Sequence, residues 1–222
     1  MILPPIWLAS ASPRRQEMLK WIGLPFKILA VDINESQKED ETPTDYVKRL
    51  ANGKASAASQ KIDAGGLIIT ADTTVVHKGQ ILGKPADQAD AFRILKLLRD
   101  DSHQVITCLV LSNLAEEKRS IEICTSLVKM RNYSDEEIQN YVQSGDPLDK
   151  AGAYAIQHPD FNPVVDFCGC FASVMGMPLC HLERNLRLDA DYQPVAIHKI
   201  CKKFLDYTCP IHERILNGEN IG

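Results

Sequence analysis

The chain has 222 residues, 25 Lys and Arg against 29 Asp and Glu, and 45% hydrophobic residues. That apolar share with a net charge of only -4 excludes an intrinsically disordered chain, and 12 Gly and 12 Pro exclude a collagen-like or low-complexity one. The length suits one compact unit, or one with two lobes around a cleft, and no run of cations longer than a pair such as Lys202-Lys203 offers a stripe for a nucleic-acid polymer.

Ile6 to Ala9 is a short apolar run followed by Ser10-Ala11-Ser12-Pro13-Arg14-Arg15. This predicts a strand, a serine cap and a helix from about Pro13 to Trp21, with Met18, Leu19 and Ile22 inward and Gly23 as the stop. Phe26 to Val31 is a second strand, and the polar stretch from Asn34 to Pro43 is a loop. Thr44 to Lys61 forms a long helix whose apolar face is Val47, Leu50, Ala51, Ala55 and Ala58. Gly65-Gly66 turns the chain into a buried strand, Leu67 to Ala71, which Asp72-Thr73-Thr74 follows. Gly79-Gln80 reads as a hairpin turn.

Ala86 to Arg99 is the next helix, and Gln104 to Leu111 and Arg119 to Val128 are an antiparallel pair. Ser134 and Glu137 have the spacing of a capping box for a helix ending near Ser144. A loop runs to about Gln157, Val164 to Phe167 is a strand, Met177 to Leu188 a helix, and Ala190 to Phe204 holds the last helix. Crossover and hairpin connections together predict an α/β protein with a mixed central sheet and flanking helices.

Seven cysteines, an odd number and scattered, predict buried free thiols in a reducing compartment rather than a disulfide framework. The start Met1-Ile2-Leu3-Pro4-Pro5 lacks the basic residues of a secretory signal, and no apolar run reaches 18 residues. The expectation is a cytoplasmic protein without a membrane partner.

Two features carry chemistry. Ser10-Ala11-Ser12-Pro13-Arg14-Arg15 places free amides, hydroxyls and guanidiniums at a helix start, a cradle for phosphate; an ordinary cap with surface arginines has the same pattern. Asp72 at the end of a buried strand suits a ligand crevice, and equally a turn aspartate. Gly83-Lys84-Pro85 holds a lysine on a rigid loop. Glu35, Lys54, His103, Asp149, Lys150, Tyr154 and Gln157 are further candidates. GxxxxGK[ST], HExxH and GxSxG are all absent.

Five segments in order resemble the Maf proteins, the septum-formation family of nucleoside triphosphate pyrophosphatases. They are Leu8-Ala9-Ser10-Ala11-Ser12-Pro13-Arg14-Arg15, Ala71-Asp72-Thr73-Thr74-Val75-Val76, Ile81-Leu82-Gly83-Lys84-Pro85, Asp149 to Gln157, and Gly169 to Leu179. They span a body of about residues 6–185 within one domain. A helical tail of about residues 189–222 matches no motif.

The resemblance implies two lobes around a deep cleft, similar in shape to the inosine triphosphate pyrophosphatases. It implies hydrolysis of a nucleoside triphosphate to monophosphate and pyrophosphate, with Mg or Mn held by Glu35 and Asp72. Asp72 would be the base that activates water. Lys54 and Lys84, with Ser10, Ser12 and Arg14, would hold the phosphates. Arg15, Thr73 and Gln157 match the subgroup acting on dTTP and UTP, with Lys150 beside the base pocket. A 7-methyl-GTP or modified-nucleotide pyrophosphatase is the alternative within the family, and a nucleotide-binding division regulator with little turnover is the alternative outside enzymology. A homodimer is the generic expectation. The chain departs from the family pattern at Asp146 in place of Glu, at His158 in place of Gly, and at Arg99-Asp100-Asp101-Ser102-His103, where only the histidine aligns.

Overall fold

The computed structural model describes residues 4–63, 65–189 and 191–222. β1 (Ile6–Leu8) leads into α1 (Pro13–Trp21) and then β2 (Phe26–Ile28), which lies parallel beside β1. After a loop come α2 (Pro43–Ser59), β3 (Leu67–His77), β4 (Gln80–Leu82), α3 (Gln88–Leu98), β5 (Ser102–Asn113), β6 (Lys118–Met130) and α4 (Asp135–Gln143). Two 3₁₀ turns (Asp146–Asp149 and Ala151–Ala153) precede β7 (Val164–Cys168), α5 (Phe171–Val174), α6 (Leu179–Leu186), α7 (Ile197–Leu205) and α8 (His212–Leu216). The strands form one mixed sheet of seven, in the order β2-β1-β3-β5-β6-β7, with β4 also on β3.

β3 organises the molecule. Along one edge it pairs antiparallel with β5, from Leu67 to Val76. Along the other, β1 pairs with Leu67 to Ile69 and β4 with Val75 to His77. Between these two short neighbours, no strand among the described residues lies along that edge at residues 70–74, so the sheet splits there.

Alternate side chains of a strand face opposite sides. Ile68 and Val76 pack on the α2 side, where Val47, Ala51, Ala55 and Ala58 of that helix are fully buried. Leu67, Ile69, Ala71 and Val75 face the larger core, which also takes Met18 and Leu19 of α1, Leu95 of α3 and Ile138 of α4. Burying each such side chain stabilises the fold by about 1.5–3 kcal/mol.

Several elements differ from expectation. The strand does not end at Ala71: its ladder with β5 continues through Thr73, Thr74 and Val75, so Asp72 lies inside a strand. β-branched residues extend readily, and the split edge gives the aspartate polar surroundings. The hairpin turn is Lys78-Gly79, both at positive φ (49° and 82°), because a two-residue hairpin favours left-handed backbone at both positions. The Met177–Leu188 helix is α6 alone, shortened to Leu179–Leu186 and entered through Pro178, while α5 is an additional short helix that ends before Gly176 (φ 105°). The second strand stops at Ile28. The Ser134–Glu137 capping box forms as the spacing requires.

In the tail, α7 begins at Ile197, Ala190 lies outside the described residues, and α8 had no sequence counterpart. The tail joins the main core through Ile197, Cys201 and Ile215, and Phe204 stacks on Trp21 of α1 with ring centroids 4.9 Å apart. All seven cysteines are unpaired and five are buried. Among the described residues no helix is long and apolar enough to cross a membrane.

Candidate active site

The split in the sheet opens into a cavity of about 620 Å³, a volume typical of small-ligand sites. Its walls are the turn from β1 into α1, the exposed edge of β3, the Gly83-Lys84 segment, the α2 side with Glu35 and Lys54, and the loops around residues 149–157 and 174–176. Ser10, Ser12, Arg14, Arg15, Glu35, Lys54, Asp72, Thr73, Lys84, Lys150 and Gln157 all line it, although they are spread over more than 140 positions of the chain.

One side of the cavity is charged. Lys54 follows Leu50 and Ala51 by one turn of α2, which places it on the face turned to the sheet. Its ammonium donates to Asp72 Oδ1 at 2.6 Å and pairs with Glu35 Oε1 at 2.7 Å. Asp72 is 7% exposed, and the Lys54 side chain 14%. One cation therefore draws two carboxylates together. Burial pushes the Glu35 carboxyl up, but the hydrogen bond and charge of Lys54, with Lys84 and Arg15, outweigh it and hold the group below its ordinary range.

The loop carrying Glu35 is braced from α2. Arg49 grips Glu41 with two bonds of 2.6 and 2.8 Å and also donates to the carbonyls of Asn34 and Ser36, on either side of Glu35. Tyr46 donates to the Glu35 carbonyl itself at 3.0 Å. No sequence motif marks Arg49 or Tyr46. Their only trace there is a shared face of α2, one turn apart.

Around Thr73 the charged group is the Arg15 guanidinium. Arg15 donates from Nε to the Gly176 carbonyl at 2.9 Å and from its NH2 group to Thr73 Oγ1 at 3.1 Å. Burial pulls Arg15 below its ordinary value, opposed by the charge of Asp72. Gly176 is required twice over: its φ is 105°, and a Cβ there would lie 3.2 Å from Arg15 Nε. Thr107, missed in the sequence, backs Thr73 across the sheet at 2.9 Å.

At the helix start, Ser12 occupies the cap position but its side chain caps nothing; its N–H donates to Ser10 Oγ at 3.2 Å. The first amides of α1 therefore have no side-chain acceptor, the arrangement that suits an anion. Arg14 makes no ion pair with the described residues, and Lys84 is exposed at the cavity wall.

Lys150 is already held by protein acceptors. It donates to Asp146 Oδ1 at 2.9 Å, to Asp149 Oδ1 at 2.7 Å and to the Asp146 carbonyl. Tyr141 joins Asp146 to the Ala155 N–H, so this cluster braces the loop that ends at Gln157. Tyr154 lines the cavity with its hydroxyl 2.7 Å from buried His103 Nε2. Gln157 is exposed at the rim. His158, the departure from the family pattern, is not among the lining residues. It accepts from the Phe161 N–H at 3.0 Å and packs against the Tyr141 ring.

No group of three or more His, Cys, Asp or Glu side chains gathers as a metal cluster among the described residues. Glu35 and Asp72, both hard oxygen donors already converging on one cation, are the pair that fits Mg or Mn, ions that take one or two carboxylates and complete their shell with phosphate oxygens.

The family model for Maf-like proteins matches residues 5–188. The chain belongs to the Maf family. Curated relatives include the dTTP/UTP pyrophosphatase of Geobacter sp. (strain M21), 42% identical over 183 residues, covering 82% of this chain and 94% of the relative. Another is the dTTP/UTP pyrophosphatase of Dictyoglomus turgidum (strain DSM 6724 / Z-1310), 43% identical over 182 residues, covering 82% of this chain and 94% of that protein. Among solved structures, the Ham1 protein of Staphylococcus aureus aligns over 57% of this chain and 71% of its own with 15% identity and a TM-score of 0.42. A HAM1 protein from Coxiella burnetii aligns over 73% and 90% with 18% identity and a TM-score of 0.43. The tail after residue 188 lies beyond the Maf match.

Proposed function

We propose that this Maf protein hydrolyses nucleoside triphosphates, dTTP and UTP foremost, to the monophosphate and pyrophosphate in a reducing, cytoplasmic setting. The observation that carries the reading is Lys54, held between Glu35 and Asp72 inside a cavity that Arg14, Arg15 and Lys84 also line. Two acids and several cations in one pocket suit a metal-assisted reaction of a polyanion. The names of the relatives favour the pyrimidine substrates.

Attack at the α phosphorus releases pyrophosphate in one step, so no covalent intermediate on the protein is needed. Asp72 accepts the proton of the attacking water, and its place in a continuous strand fixes its direction. Lys54 keeps that carboxylate oriented and neutralises charge as it grows on the phosphate oxygens. Arg14, Lys84 and the open amides and hydroxyls at the start of α1 hold the phosphate chain. Glu35 and Asp72 would hold the divalent ion, which when bound neutralises phosphate charge and lowers the pKa of water. On the Thr73 side, Arg15 and Gln157 offer donors to the base carbonyls.

The test is a panel of canonical and modified triphosphates assayed for pyrophosphate release with Mg²⁺, with Mn²⁺, and after chelation. The expected result is preferential turnover of dTTP and UTP that chelation abolishes. Preference for a modified purine would overturn the specificity, and nucleotide affinity without turnover would overturn the catalytic role.

A further inference from the structure

Thr107 lies on β5 directly opposite Thr73 and has no exposed surface. Its Oγ1 is 2.9 Å from the carbonyl oxygen of Ser173 in α5. A carbonyl only accepts, so the single hydroxyl proton of Thr107 points there. Thr73 Oγ1 lies 2.9 Å from Thr107 Oγ1 and 3.1 Å from the Arg15 NH2 group. A guanidinium only donates, and Thr107 has no second proton. The proton between the two threonines therefore belongs to Thr73. The chain has one direction: Arg15 to Thr73, Thr73 to Thr107, Thr107 to the Ser173 carbonyl.

This ordering fixes what Thr73 can show a ligand. Its only proton is committed to the protein interior, so toward the cavity it offers a lone pair and no donor. Beside it, Arg15 uses one N–H on Thr73 and one on Gly176, and the guanidinium keeps donors that no group among the described residues takes. The wall thus presents a fixed acceptor next to a fixed donor. The 4-carbonyl and N3–H of uracil or thymine complement that pair. At the same two positions cytosine carries an amine and a bare ring nitrogen, which meet the wall donor to donor and acceptor to acceptor.

We infer that Thr107, which touches no substrate, is a positioning residue that sets base selectivity by locking Thr73 as an acceptor. This deepens the dTTP/UTP reading and rests on it for the identity of the base. Without the Thr107 hydroxyl, the Thr73 proton is released. Thr73 can then rotate to donate to the bare N3 of cytosine, which removes one of the two mismatches and leaves only the amine facing Arg15.

The experiment compares the wild-type protein, Thr107→Val and Thr107→Ser for binding of the non-hydrolysable α,β-methylene analogues of UTP and CTP, alongside thermal melts. The wild type should prefer the UTP analogue. Thr107→Val should lose about tenfold of that preference, mostly by gaining affinity for the CTP analogue, because a buried mismatch has been relieved. Thr107→Ser, which keeps the hydroxyl, should retain it. Should the valine variant not fold, Thr107→Ala removes the same proton acceptor. A lowered Tm with an unchanged preference ratio would make Thr107 merely structural and overturn the inference, as would a wild type that binds both analogues equally. A wild type that prefers the UTP analogue yet hydrolyses no triphosphate would remove the catalytic proposal and leave this one standing.

Discussion

Asp72 and Thr73 are neighbours in the chain, yet they belong to two different environments. Asp72 faces α2, where Lys54 and Glu35 make a charged cluster. Thr73 faces the other way, into a hydrogen-bond chain that starts at the Arg15 guanidinium and ends on backbone carbonyls of the α5 region. The cause is the pleat, which sends consecutive side chains to opposite sides of a strand. Because the edge of β3 is uncovered between β1 and β4, both sides reach one cavity. A single strand can therefore supply reaction chemistry from one face and recognition from the other. The two functions can be mutated separately.

The largest expected effect breaks the charged side alone. Asp72→Asn keeps the size of the side chain and leaves Lys54 paired with Glu35, so no buried ammonium is stranded and the fold should survive. Turnover should fall by about 10²–10⁴, the usual weight of a general base. The ratio of dTTP to ATP binding should not move. Steady-state kinetics with a melting curve checks both, and normal turnover would remove Asp72 as the base.

The Thr73 side is broken by Arg15→Ala. Here the expected loss is about tenfold or more in the dTTP-to-ATP ratio of kcat/KM, with much less effect on turnover of poorly recognised nucleotides. An unchanged ratio would separate Arg15 from base recognition.

The smallest effect concerns acid. Burial pushes His103, behind Tyr154, and His181, in α6, down to about 4. Between about pH 6.5 and 4 the unfolded chain binds protons that the folded protein refuses, so stability falls as pH falls, by about 3 kcal/mol at most for each histidine. Glu35, held below its ordinary range, stays ionised over most of that window. Melting curves from pH 7 to 4.5 should therefore show a falling Tm that His103→Gln partly flattens. A flat profile in the wild type would show that neither histidine carries this linkage.

Much of the architecture was legible from local pattern. The α2 stripe, the Ser134 capping box and the β5–β6 pair follow from periodicity and spacing over a few residues, and the structure places them within a few positions. The candidate residues were legible through motifs, and Ser10, Ser12, Arg14, Arg15, Glu35, Lys54, Asp72, Thr73, Lys84, Lys150 and Gln157 line the same cavity. What failed was length and exposure. Asp72 looked like a strand end because polarity begins there, whereas the β5 ladder carries the strand five residues further. Lys54 carries no local mark of burial, because nothing along its helix says that two acids wait across the gap.

The sequence by itself determined the element types, the family segments and the chemical kinds of group available, since these depend on side-chain identity and short-range geometry. Tertiary structure alone decided which face each group serves. It gave Arg49 and Tyr46 the task of holding the Glu35 loop, turned His158 into its own loop, and oriented Thr73 through a threonine 34 positions away. Hydrogen-bond direction is settled by the partner across the sheet, and no pattern along the chain records which partner that is.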